Sequence, residues 1–383
     1  MVADRELMER DLAEHLVGGE GAGLLPRSGH AQLKTYVVEA HRARELDQAR
    51  DALEGAAARA GAELRSTDDP SLHLLNVSVV VESEAAPEPA GFWLDTANPR
   101  FWLLHSKTTA KPAQQALRLL IGSSPDLDQG WLPRSQLRSV QSAFRPFGFR
   151  LGFDERPFYR GRDVFELAEP THKLNVEHAG VGAEDMYELL ETSEVTKRAM
   201  AVSEVAFWDR SAAGTQLLRL TRDGRLRSFG SSLESHLQAA RSVLRSYEAF
   251  VLSLERTFGL RIADDADNGM VIEGRPMALR VAKPEGFDFK QLVERLVSGV
   301  EPFRLLGTVS WLDEDLAWVD AIDLHTSAPV RLDMTPDWVR VYLGQGLCGN
   351  TIARFLTNLQ RSYNADFGFF DSVTSTLLGE APR

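Results

Sequence analysis

Residues 216–259 read QLLRLTRDGRLRSFGSSLESHLQAARSVLRSYEAFVLSLERTFG, and this stretch decides the fold class. Its first part alternates apolar and polar residues on both sides of Thr221-Arg222-Asp223-Gly224-Arg225. Asp-Gly between alternating runs predicts a tight antiparallel hairpin, because both residues accept the positive φ angles of a two-residue loop. Ser231-Ser-Leu-Glu234 then has the spacing of a capping box. It opens a helix expected to run unbroken to Phe258, with Leu233, Leu237, Ala240, Leu244, Tyr247, Val251 and Leu254 on one stripe. Gly259 is placed to close it. A hairpin feeding directly into a long helix is the mark of an α+β chain.

Upstream, Arg5–Leu16 reads as a helix and the run Gly18–Gly23 as a hinge. Leu33–Glu39 and Leu72–Val81 read as strands around an amphipathic helix, Ala43–Ala60. Phe92–Leu94 and Phe101–His105 are short aromatic strands, and Ala113–Ile121 is a further helix. Downstream, the pattern predicts a strand pair around Asn268-Gly269 and a helix over Phe289–Val300. Strands follow at Arg304–Trp311, Ala317–Leu324 and Val330–Met334, then a terminal helix over Asn350–Tyr363. The expected architecture is mixed α/β units with antiparallel hairpins and a long central helix. Five consecutive segments are expected: 1–29, 30–130, 131–165, 166–259 and 260–383.

A chain of 383 residues with 43% hydrophobic and 26% charged residues is long enough for two or three packed cores. No apolar run approaches the roughly 20 residues of a membrane span, and the charged start lacks a signal-peptide core, so a cytoplasmic location and no membrane partner are expected. The single cysteine, Cys348, excludes an internal disulfide and a multi-cysteine zinc site. The excess of arginine over lysine points to a GC-rich bacterial genome. The net charge of −12 argues against indiscriminate coating of DNA.

Four groups of residues invite chemistry. The segment Arg134–Arg162 holds seven arginines against two acids, a local +5. Arg134, Arg138, Arg145, Arg150, Arg156 and Arg160 are candidates for phosphate contacts, with Phe147 and Phe149 as stacking rings. The structural reading of the same segment pairs its arginines with the abundant acids and buries its phenylalanines. Second, Gly344-Gln-Gly346-Leu-Cys-Gly349 follows a possible strand, precedes a helix and has an acid, Asp371, about twenty residues on, the spacing of a dinucleotide-binding turn. Third, Asp320, Asp323 and His325 could hold a divalent cation for phosphodiester hydrolysis. Fourth, His105-Ser-Lys107, His172-Lys173 and His178 could serve acid–base work.

The glycine loop has a second local reading. Gly346-Leu-Cys-Gly349-Asn-Thr-Ile352 resembles the GxxG loop of the KH module, with Val330–Met334, a short helix from Pro336, the Asn350 helix and a strand near Phe367 supplying a β-α-α-β order. The resemblance implies a clamp on a nucleic-acid backbone, and its structural counterpart is a glycine turn that packs Leu347 and Ile352.

These features point to a non-enzymatic nucleic-acid-associated or assembly protein without a cofactor. Its expected partners are nucleic acid or another polyanion and the proteins of a larger complex, such as a bacterial DNA-processing or phage-defence assembly. The alternatives are a metal-dependent phosphodiesterase or nuclease using the acidic cluster, and a nucleotide-binding module using the glycine loop.

Overall fold

The computed structural model describes residues 2–17, 32–80, 88–155, 173–211, 214–230, 232–265, 269–281, 288–344, 346, 348–370 and 377. The fold is α+β, and the chain forms two compact units. The first takes Met1–Gly130, Ala143–Pro146 and Ala206–Glu248; the second takes Trp131–Ser142, Phe147–Val205 and Ala249–Arg383. The five consecutive segments read from the sequence are thus distributed between two units that the chain enters repeatedly.

The first unit begins with α1 (Val2–Val17), β1 (Leu33–Ala40), α2 (Leu46–Ala60), β2 (Glu63–Ser66) and β3 (Leu72–Val79). It continues with β4 (Glu88–Asp95), β5 (Phe101–Ser106), α3 (Ala110–Gly122) and β6 (Leu127–Gln129). The hairpin strands lie later in the chain, β10 (Gly214–Thr221) and β11 (Arg225–Phe229). Their order in the sheet is β2-β3-β4-β5-β1-β11-β10, with neighbours antiparallel and β6 beside the end of β1. Alternate residues of a strand face opposite sides, and both sides of this sheet are covered. Tyr36, Val38, Phe92, Leu94, Trp102 and Leu104 pack with the apolar stripes of α2 and α3. Leu33, Leu72 and Trp93 pack with Met8, Leu12 and Leu16 of α1. Arg5 pins that helix, donating to Asp69 at 2.9 Å, Asp95 at 2.7 Å and Ser71 at 2.9 Å.

The second unit has α4 (Arg134–Ser142), β7 (Arg145–Asp154) from Phe147 onward, β8 (Lys173–Ala179) and α5 (Ala183–Thr192). β9 (Val202–Ser211) and α6 (Leu233–Phe258) belong in part to each unit. A two-stranded ribbon follows, β12 (Arg261–Asp265) with β13 (Gly269–Glu273). The remaining elements are β14 (Met277–Val281), α7 (Phe289–Leu296), β15 (Leu305–Trp311), β16 (Ala317–Asp323), β17 (Ala328–Met334), β18 (Trp338–Leu343), α8 (Gly349–Ser362) and β19 (Phe367–Phe369). Their sheet is antiparallel, in the order β15-β16-β17-β18-β14-β19. Along β16 burial alternates strictly, and the inward residues pack against α7, α8 and the end of α6.

The long helix is unbroken over Leu233–Phe258. Leu237, Ala240, Tyr247, Val251 and Leu254 of its expected stripe are buried, whereas Leu233 and Leu244 are half-buried. Its cap differs from the expected box. Ser231 lies outside the described residues, and the hydroxyl of Ser232 accepts from Ser235 N–H at 3.2 Å. The hairpin is present but its loop has three residues, Arg222, Asp223 and Gly224. Gly224 N–H donates to Thr221 O at 3.0 Å, and Gly224 (φ 71°) has a positive φ while Asp223 does not. That pattern is a type I turn followed by a left-handed glycine, which needs only one residue of positive φ. No helix starts at Pro336; β17 runs into β18 through a tight connection, with Thr335 N–H donating to Trp338 O at 2.8 Å. The glycine run at 18–23 lies outside the described residues. No helix among the described residues is long and apolar enough to cross a membrane.

Candidate functional site

The β10–β11 turn sets the geometry of the strongest site in the first unit. Gly224 O accepts from Val37 N–H at 3.0 Å, so the turn sits on the middle of β1. A Cβ at Gly224 would come within 2.7 Å of Gly130 O, and only glycine fits that approach. The fixed turn places Tyr36 opposite Arg225 and Lys34 opposite Arg227, and Arg219 opposite Arg227 in turn. Directly paired residues of antiparallel strands share a face. Lys34, Tyr36, Arg219, Arg225 and Arg227 therefore form one cationic row. A slip of one residue would send every one of them to the other side.

Lys34 is the centre of this row. It is 3% exposed, and its ammonium donates to the Gln32 carbonyl at 2.7 Å. Among the described residues it makes no ion pair. Burial, with Arg227 and Arg225 adding repulsion, pushes the ammonium down to about 8. The hydroxyl of Tyr36 is pushed up to about 12, chiefly by burial. Asp223, the acid of the turn, is engaged by Thr221 Oγ1 and by Gln114 Nε2 at 3.5 Å. The guanidinium of Arg219 lies over the Phe229 ring, 5.8 Å from its centroid. A buried lysine beside arginines creates a positive potential that an incoming anion would relieve.

The arginines expected to contact phosphate are placed differently. Arg134 is buried at the start of α4; its N–H donates to Gln360 Oε1 at 3.1 Å and its guanidinium lies 3.5 Å from Glu191. Arg138 grips Glu184 at 2.6 Å and lies over the Tyr187 ring at 4.3 Å. Arg150 donates to Glu177 through Nε at 3.1 Å. Phe149 is 3% exposed, edge-on to Tyr187 at 5.3 Å and stacked on His178, so its faces are not open to a base. Phe147 is half-buried and Arg145 exposed on β7. Arg156 and Arg160 lie outside the described residues. Arg134, Arg138 and Arg150 thus each pair with a glutamate of α5 or β8.

The acidic cluster does not assemble as a metal site. Asp320 is exposed and paired with Arg331 at 2.9 Å, whereas Asp323 faces the core. An odd separation on one strand puts them on opposite faces. Asp323 accepts from Arg354 at 2.5 Å and from the Thr351 hydroxyl, and it also accepts the His325 N–H at 2.9 Å. Burial works to raise its carboxyl, but Arg354, His325 and the Thr351 hydrogen bond outweigh it and hold the group below the usual carboxylate range. His325 is itself fully buried. Asp323 thus belongs to a core ion pair with Arg354, and Asp320 to an exposed pair with Arg331.

The glycine loop is likewise structural. Gly344 and Gly346 lie between β18 and α8, but β18 pairs antiparallel with both neighbours, which excludes the parallel βαβ frame of a dinucleotide site. Asp371 lies outside the described residues. The KH order also fails, because β17 and β18 form a hairpin and β19 pairs with β14. Gly349 N–H donates to Glu255 Oε1 at 2.9 Å, so the chain supplies its own anion at the first amide of α8. A Cβ at Gly349 would lie 2.2 Å from Val251 O, and the glycine lets α8 meet α6. Of the histidines, His105 is buried and shares the Thr35 hydroxyl (2.7 Å) with His236 (2.6 Å), and His172 lies outside the described residues.

The profile of the MJECL33-like protein family matches residues 26–372. The chain belongs to the MJECL33-like family. A relative is the uncharacterized protein MJECL33 of Methanocaldococcus jannaschii, 26% identical over 320 residues, covering 72% of this chain and 74% of that protein. In this MJECL33-like chain the cationic row was legible in part. Arg219, Arg225 and Arg227 occupy alternate positions flanking the Asp-Gly turn, which is the spacing of one strand face. Lys34 carried no such signal, because its burial depends on pairing with a strand far later in the chain.

Proposed function

We propose that the protein associates with nucleic acid, and that Arg225 and Arg227 on the β1–β11 face take the phosphate backbone, with the buried Lys34 adding to the positive potential beneath them. The observation that carries this reading is the register that sets the buried Lys34 across from Arg227 and Tyr36 across from Arg225, gathering like charges on one face. Such a group is destabilised in the free protein and stabilised by a bound anion, so binding gains from its relief. Phosphate neutralisation gives affinity without sequence readout and a steep dependence on salt.

The test is a fluorescence titration of the full chain with labelled single-stranded and duplex oligonucleotides at two salt concentrations. Arg225→Gln with Arg227→Gln should weaken binding across all sequences and flatten the salt slope by about one unit per lost phosphate contact. Arg138→Gln with Arg150→Gln should leave it unchanged. No binding of any oligonucleotide at low salt ends this reading.

A further inference from the structure

The first unit also holds a cleft of about 980 Å³, walled by α1, β5 with the connection before it, and α6. That volume is of the size that encloses a small organic ligand. Leu103, Leu237 and Leu244 supply apolar wall, and Arg10, Arg241 and Arg245 reach the same space. Arg241 and Arg245 are exposed and stand one helical turn apart on α6. Neither guanidinium makes a hydrogen bond or ion pair with a described residue. Like charges at that spacing repel along the helix. The acids of the lining are partly committed: Asp95 is tied to Arg5 at 2.7 Å, and Glu248 accepts from Asn98 at 3.0 Å. Glu9 and Glu234 line the same space. Behind the wall, His105 is kept neutral, held down to about 4 by burial, with Arg241 and Arg5 acting in the same direction against Asp95.

We propose that this cleft binds an organic polyphosphate: Arg241 and Arg245 take adjacent phosphoryl groups, and the leucine wall takes the apolar body of the ligand. Two guanidiniums a turn apart suit two linked phosphates better than one carboxylate, because each can give paired, charge-assisted hydrogen bonds. The inference is independent of the nucleic-acid reading, since it uses residues of the other sheet face and of α6.

Isothermal titration of the full chain with ATP and with inorganic pyrophosphate tests it. One ATP should bind per chain, and pyrophosphate should bind more weakly. Arg241→Ala with Arg245→Ala should weaken ATP by about tenfold to a hundredfold, the loss expected from charged hydrogen bonds. Leu244→Gln should weaken ATP and leave pyrophosphate unchanged. Thermal melts of each variant separate loss of the site from loss of the fold, and Arg241→Lys with Arg245→Lys, should the alanines unfold, must retain part of the affinity. No heat with ATP at millimolar concentration, or equal affinity in a folded double variant, overturns the proposal.

Discussion

Two groups of arginines in this protein look alike in sequence and differ in structure. The segment around α4 and β7 carries the higher local charge, yet Arg134, Arg138 and Arg150 each face a glutamate of α5 or β8. On the β1–β11 face, by contrast, Arg225 and Arg227 stand across from Tyr36 and a buried lysine. The density of cations along a chain therefore says little about which of them lie beside one another in the fold. Strand register decides that, because it chooses which side chains share a face. Removing cations one site at a time, from the most fully paired to the least, separates the two groups.

The largest effect belongs to the most fully paired cation. Arg354 is completely buried, donating to Phe303 O at 2.8 Å and to Asp323 at 2.5 Å. Arg354→Met should lower the stability of the second unit by about 3–5 kcal/mol, because it strands a buried carboxylate. Urea unfolding followed by tryptophan fluorescence measures this. Asp323→Asn beside it should recover part of the loss. The Asp323 carboxyl is depressed in the folded state. Its contribution is thus fully present above the ordinary carboxylate value and disappears as pH falls through the lower folded value. The acid limb of the stability profile should be shallower in the double variant.

Lys34 should behave in the opposite sense. Its ammonium titrates near 8 when folded and near 10.5 when unfolded. Below about 8 both states are protonated and the fold carries the whole penalty, on the order of 3 kcal/mol. Between the two values the unfolded chain binds more protons, so stability rises with pH. Lys34→Met should therefore stabilise the protein at pH 7, with the advantage fading by pH 10.5. Urea midpoints at pH 7, 9 and 10.5 check this. A midpoint that falls at pH 7 would mean that Lys34 is committed to a partner as the α4 arginines are, and the contrast between the regions would collapse.

What is legible in the sequence follows from the range of each interaction. The hairpin and the long helix are local events, fixed by Asp223-Gly224 and by an apolar stripe, and both are present. The three-residue loop was missed because Asp-Gly serves both loop lengths, and the difference lies in which residue turns left-handed. Asp320 and Asp323 are close in sequence, but their odd separation on one strand puts them on opposite faces. Gly349 looked like a phosphate turn because a close helix crossing demands the same residue for a different reason. Lys34 was illegible, since no local pattern announces that Arg227 will lie beside it.

Smaller effects should follow for the half-buried pair. Arg138 combines two bonds to Glu184 with a position over Tyr187. Its side chain is 29% exposed and that of Glu184 is 44% exposed, so water screens the pair. Arg138→Ala should cost about 1 kcal/mol, with the ring contact included. Differential scanning calorimetry should register a fall in midpoint that shrinks when salt is raised.

Arg150 should matter least, and for that reason it tests the comparison most directly. It lies in the stretch richest in arginine, but its side chain is 44% exposed and its partner Glu177 42% exposed. An open pair between strands loses in side-chain freedom most of what it gains in Coulomb attraction. Arg150→Ala should change stability by less than about 0.5 kcal/mol. If phosphate is taken on the β1–β11 face, the same variant should also leave oligonucleotide affinity and its salt slope untouched. A slope that flattens by about one unit in this variant would place a phosphate contact on β7. The ion pair with Glu177 would then be a resting state exchanged for nucleic acid, and the two arginine groups would differ only in what neutralises them before the ligand arrives.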